Sequence, residues 1–128
     1  MTVAEVNAIA QAFHDGVANR DAAAIAALYA EDTKFLPPNF EPCEGRAAVQ
    51  AWMEQMFQVG VSSLDIEPHE TRVAGDLTIE YGSYALGIEP DGAERMVDHG
   101  KYVVVHEAQD DGSTKIVFDI FNSNAPAA

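Results

Sequence analysis

The sequence predicts an α+β fold in which three N-terminal helices pack against one curved sheet. Three observations predict it. Apolar residues recur at three- and four-residue steps as far as Phe57, the period changes to two from Val61, and Gly-containing turns divide the remaining chain into long strands. Helices come first and strands second, which argues against alternating βαβ units.

Thr2 followed by Glu5 is a capping box. Val3, Val6, Ala10, Phe13 and Val17 then lay one apolar stripe on a helix ending near Ala18. Asp21 is an N-cap for a second helix, in which Ile25, Leu28 and Tyr29 share a face. Residues 33–36 are a β-favouring run closed by Pro37-Pro38, which can continue neither a helix nor a central strand. Residues 39–44 read as loop. After Gly45 a third helix carries Val49, Trp52, Met53, Met56 and Phe57 on one bulky face, and Gly60 stops it.

Residues 62–73 alternate loosely around Pro68, a bulge or edge position. Strands over 77–89, 96–108 and 115–122 follow, joined by turns at Gly75, Gly92 and Gly112. The expected order is ααβαββββ, with an antiparallel meander at its end, in one domain over residues 1–128.

Hydrophobic residues make up 48% and charged residues 22%, a globular balance that excludes disorder as the main state. The net charge of -14, from 21 acidic against 7 basic residues, excludes nucleic acid and anionic membrane surfaces as partners. A neutral or cationic small molecule stays open. One cysteine, Cys43, permits no intrachain disulfide and suits a reducing compartment. Without a signal-like start or a long apolar run, a cytoplasmic location is expected. Residues 102–105 and 116–121 are apolar at both parities, so burial on both faces is expected. The partner would be a second copy forming a homodimer through the outer sheet face; the alternative is that loops of one chain cover it.

The segments NRDAAAIAALYAEDTKFLPPN, GRAAVQAWM, DHGKYVVV and DGSTKIVFDIFNS, in this element order, resemble the nuclear-transport-factor-2-like superfamily. More narrowly they resemble its SnoaL-like and DUF4440-type members, related to ketosteroid isomerase. The resemblance implies a cone: a curved mixed or antiparallel sheet wrapped around three helices, an apolar pocket between them, and pairing through the sheets. Activity is left open, since the superfamily hosts isomerases, cyclases, dehydratases, epoxide hydrolases and non-enzymatic association domains. Of the three ketosteroid isomerase roles, the resemblance puts the donor tyrosine at Phe13 and the general base at Pro37, neither of which can act. Only the second donor has a counterpart, Asp98. The usual three-residue mechanism is therefore excluded.

Asp98 shares a parity with Gly100, Tyr102 and Val104, and if that parity faces the pocket, desolvation would raise its carboxyl for general-acid or donor work. The alternative is an exposed strand-end acid, or one paired with a nearby Lys or Arg. Glu80 shares a parity with Gly82 and Tyr84, either orienting a ligand or bonding a tyrosine to hold the sheet. Asp119 is an unexpected acid in mid-strand, on the parity opposite to Asn122, and the resemblance makes it a catalytic candidate, since in polyketide-cyclase relatives an acid late in the sheet can act on substrate. Phe13, Tyr29, Phe35, Leu36, Trp52, Met53, Met56 and Phe57, with Tyr84 and Tyr102, are the expected pocket wall. His99 and His106 have opposite parities, and no metal-binding, phosphate-loop or nucleophile motif is present, so no metal or cofactor is expected. The expected function is an apolar small-molecule pocket serving a cofactor-independent isomerase, cyclase or dehydratase. The alternative is a non-catalytic ligand-binding or association module.

Overall fold

Thr2 closes the first helix as its spacing predicts. Its hydroxyl accepts from the Glu5 amide at 3.1 Å, and the Glu5 carboxylate accepts from the Thr2 amide at 3.0 Å. The computed structural model describes residues 1–126. Helix α1 runs Val3–Ala18 and buries Val6, Phe13 and Val17 along its apolar stripe. Asp21 caps α2, Ala22–Ala26, by accepting from the Ala24 amide. Helix α3, Arg46–Gln58, follows Gly45. No helix among the described residues is long and apolar enough to cross a membrane.

The strands are β1 (Tyr29–Leu36), β2 (Cys43–Glu44), β3 (Val61–Ala74), β4 (Leu77–Ile88), β5 (Met96–Ala108) and β6 (Thr114–Ser123). They form one open, curved sheet in the order β2-β1-β6-β5-β4-β3. The meander β3 to β6 is antiparallel, while β1 lies parallel to β6, so the sheet is mixed. Strand β3 is the edge, and its register slips between Pro68 and Glu70, so the proline sits where a missing N–H costs least.

Two expectations need correction. Leu28 and Tyr29 do not continue the second helix. The Leu28 carbonyl accepts from the Ile116 amide at 3.1 Å, and β1 begins at Tyr29 rather than at residue 33. Residues 39–44 are not all loop, because Cys43 and Glu44 pair with Phe35 and Lys34.

One irregularity places the site. Val105 pairs with Phe118 and His106 with Ile116, so Val117 is an extra residue in β6. Strict alternation would send Ile116 and Asp119 to opposite faces. The bulge turns both inward, where both are buried. The core of Val17, Ile25, Tyr29, Val49 and Ile116 fills the space between the helices and this inner face.

Candidate functional site

A cavity of about 240 Å³ lies between α1, α3 and the inner face of the sheet. Helix α1 contributes Phe13, strand β1 Tyr29 and Phe35, helix α3 Trp52, Met53 and Met56, and the meander Tyr84 and Tyr102. The aromatic part is a continuous chain of edge and tilted contacts. Phe13 meets Tyr29 and Tyr29 meets Phe35 at ring-centroid distances of 5.9 Å, and Phe35 meets Phe121 at 5.5 Å. Lining residues on α1, α3 and the near ends of β3 and β4, among them Ile9, Trp52 and Leu86, are only part-buried and ring the mouth.

Leu36 and Phe57, expected on this wall, are not on it. Leu36 alternates with Phe35 and so turns away, towards Pro37, Phe40 and Ile120. Phe57 sits on the side of α3 that faces the α1–α2 junction. There the Arg20 guanidinium lies 5.5 Å from its ring and donates to its carbonyl at 3.0 Å.

The closed end of the cavity is polar. Glu80, His106 and Asp119 are buried to 4%, 0% and 7% exposure and all three line the cavity. Glu80 and Asp119 flank Val104, each one strand away from it. Tyr102 donates its hydroxyl proton to Glu80 Oε2, and His106 Nε2 lies 2.8 Å from Glu80 Oε1. A carboxylate only accepts, so Glu80 selects the His106 tautomer protonated on Nε2. Nδ1 of His106 is then unprotonated, and it has no partner. On the other side Tyr29 donates to Asp119 Oδ2 at 2.6 Å.

Burial raises the Asp119 carboxyl to about 6. The charge of Glu80 adds to the rise, while the Tyr29 hydrogen bond opposes it, as would a proton gained by His106. Burial likewise pushes both phenols up, Tyr29 also through the charge of Asp119 and Tyr102 through its bond to Glu80, so both remain proton donors at any ordinary pH. The site therefore holds an oriented imidazole with an unpartnered, buried lone pair and a carboxyl that is partly protonated near neutrality, beside an apolar space. Those are the parts of a general base and a general acid.

Asp98 is elsewhere in the same cavity, half-buried near the mouth. It accepts from Ser123 Oγ at 2.6 Å and from the Tyr84 hydroxyl at 3.4 Å. Burial, with the charge of Asp98 beside it, pushes Tyr84 up to about 12. Of the acids singled out in the sequence, Glu80 and Asp119 come together and Asp98 stands apart. Glu80 does bond a tyrosine, Tyr102 rather than Tyr84, and bonds a histidine as well.

His106 is the residue that sequence reasoning missed. Its signal was present, since it shares the parity of Asp98, Gly100, Tyr102 and Val104. Among the described residues no group of three or more His, Cys, Asp or Glu side chains is placed to hold a metal ion.

Residues 10–117 match the family model described as the SnoaL-like domain. Among solved structures, a ketosteroid isomerase-like protein from Erwinia carotovora atroseptica superposes with a TM-score of 0.84 at 14% identity, over 97% of each chain. A nuclear transport factor 2-like superfamily protein from Salmonella enterica serovar Typhimurium gives 0.81 at 13% identity, covering 97% of this chain and 92% of that one. A domain of unknown function with a cystatin-like fold from Nostoc punctiforme gives 0.78 at 20% identity, covering 98% and 81%. At such identities the likeness speaks of the fold alone. No curated protein matches the chain.

Proposed function

The chain belongs to the SnoaL-like domain family, and from that premise we propose that it is a cofactor-independent proton-transfer enzyme of isomerase, cyclase or dehydratase type. Its substrate is an apolar molecule with a carbonyl or hydroxyl group. The observation that carries the reading is the unpartnered Nδ1 of His106, held by Glu80 at the closed end of an apolar cavity that also contains Asp119.

In the proposed step, His106 Nδ1 removes a proton from the carbon beside a substrate carbonyl. The electron pair of that C–H bond moves towards the carbonyl, whose oxygen takes the proton of Asp119. The imidazolium formed is stabilised by the Glu80 carboxylate on its other nitrogen, and Tyr102 holds Glu80 in place. Returning the proton to a second carbon gives isomerisation. Return of the enol proton to Asp119 and its passage to a β-hydroxyl, which leaves as water, gives dehydration; attack of the enol carbon on a second carbonyl, whose oxygen takes the imidazolium proton while the enol proton returns to Asp119, gives ring closure. None of these routes requires an oxidant or reductant.

Deuterium wash-in from D2O into apolar cyclic ketones, followed by NMR, tests the first step without knowledge of the natural substrate. Wild-type protein is expected to exceed buffer, and His106→Gln to lose about 10²–10⁴-fold. Wild-type exchange no faster than buffer for the whole panel would leave the binding-module alternative in possession of the cavity.

The same reading includes a second copy of the chain. The outer face of the sheet carries two cross-strand rows, Tyr81–Val103–Ile120 and Ile79–Val105–Phe118. Five of these six side chains are between 40% and 52% exposed. An apolar block of this kind in the middle of a sheet is what a dimer interface covers.

A further inference from the structure

Strands β4 and β5 carry the same five-residue pattern, acid-x-Gly-x-Tyr, running in opposite directions. The first is Glu80-Tyr81-Gly82-Ser83-Tyr84 and the second Asp98-His99-Gly100-Lys101-Tyr102. Antiparallel register sets Gly82 opposite Tyr102 and Gly100 opposite Tyr84. Each tyrosine ring takes the space that a Cβ would fill on its partner glycine. It therefore lies along the sheet until its hydroxyl meets the acid of the other strand, Tyr102 with Glu80 and Tyr84 with Asp98. Two acid–tyrosine pairs result, related by a local two-fold axis, and all four side chains line the one cavity.

The two pairs are not equivalent. Glu80 is deep, and His106 completes its coordination. Asp98 is opposite Leu86, six strand positions from Glu80, or roughly 20 Å along the strand. Ser123 occupies one of its oxygens at 2.6 Å, but the 3.4 Å contact with Tyr84 is at the limit of a hydrogen bond and leaves Oδ2 with capacity for a better donor. The cavity wall includes three carboxyl groups and no Lys or Arg, so an anionic group meets no countercharge anywhere along it.

We propose that Asp98 and Tyr84 form a second binding station, and that the ligand is an elongated apolar molecule with a hydrogen-bond donor, a hydroxyl or an ammonium, at the end remote from the reacting group. The inference rests on the cavity being the substrate site and specifies what fills its mouth. One end of the ligand reaches the Glu80–His106–Asp119 floor; the other gives Asp98 Oδ2 the donor that Tyr84 holds only loosely.

Isothermal titration calorimetry with decanol, decanediol, aminodecanol and hydroxydecanoate, each substituted at its chain ends, varies the end group at constant length. Decanediol and aminodecanol are expected to bind about tenfold or more tighter than decanol, as a hydrogen bond to a charged group implies. Hydroxydecanoate is expected to bind at least about tenfold more weakly than decanediol. In Asp98→Asn the advantage of aminodecanol over decanol should shrink to within about twofold. Equal affinities across the wild-type series, failure of all four to bind, or an ammonium preference that survives Asp98→Asn would each overturn the proposal. The wild-type ranking needs no variant to fold and no turnover. Absence of deuterium wash-in would therefore leave it standing, and a flat ranking with wash-in intact would remove the station alone.

Discussion

Tyr29 donates to Asp119 over 2.6 Å and so ties the first residue of β1 to the middle of β6, ninety positions later in the chain. The bond holds the Asp119 carboxyl below the value that burial alone would give it. Tyr29→Phe should therefore move Asp119 above its present value of about 6, readable by carbon-detected NMR titration of the carboxyl. It should also cost about 1–3 kcal/mol in thermal unfolding, the usual loss for a hydrogen bond to a buried charged group.

Asp119 also sets a pH dependence of stability. Its folded value, about 6, lies above the ordinary 3.8, so between about pH 4 and 6 the folded state binds more protons than the unfolded chain. Stability attributable to this group then falls as pH rises through that window, by an amount on the order of 3 kcal/mol, and is level outside it. The difference in unfolding free energy between wild type and Asp119→Asn isolates the effect. The variant should gain on wild type from pH 4 to 6, and a difference that stays flat would contradict the assignment.

If Asp119 is the general acid, the wash-in rate has the same origin. The protonated fraction of a carboxyl titrating at about 6 falls tenfold per unit above that pH. The rate should therefore decline above pH 6, and Asp119→Asn should remove the decline along with most of the rate.

Gly100 has a narrower tolerance than its strand position suggests. A Cβ there would enter the Tyr84 ring and the backbone carbonyl of Asn122, one on each side. Gly100→Ala should destabilise by about 1–3 kcal/mol, as overpacking does. It should also separate Tyr84 from Asp98, moving the tyrosine back from about 12 towards 10 in a spectrophotometric titration.

Much of this architecture was legible because local patterns and tertiary structure agree over long stretches. The capping box at Thr2, the stripe through Phe13, the proline at the sheet edge and the meander all follow from spacing and turn chemistry. The failures occur where one local pattern fits two structures. Leu28 and Tyr29 satisfy either a helix face or a strand start, and the backbone bond from Ile116 decides between them. Phe57 shows its face on α3 but not its neighbour, since Arg20 reaches it from another element. Cys43 and Glu44 become a strand only through pairing with β1. In the site, parity sufficed to align Asp98 with Tyr102. It would also have aligned His106, whose importance emerges only from its contact with Glu80 on the neighbouring strand.

The outer face of the sheet yields a prediction about assembly. Val103 is central in the row Tyr81–Val103–Ile120, so a charge at that position would be desolvated in a paired sheet. Light scattering of the wild type should read twice the 13.8 kDa of one chain, and Val103→Glu should read one chain. A wild-type mass of one chain would refute the dimer.

Val117 has a consequence out of proportion to its size. As the extra residue in β6 it is absorbed by the bulge, and that is what keeps Asp119 on the same side of the sheet as Ile116. Loss of that one residue would leave Ile116, Phe118 and Asp119 in plain alternation with the carboxyl still on the cavity floor, whereas straightening β6 with Val117 retained would turn the carboxyl to the outer surface. A straightened β6 would thus remove one of the three carboxyl groups from the cavity and set its charge into the apolar block outside. Chains of this fold with a one-residue gap at that point should therefore keep the acid on the cavity side, so that the bulge and the gap are two sequence routes to one floor.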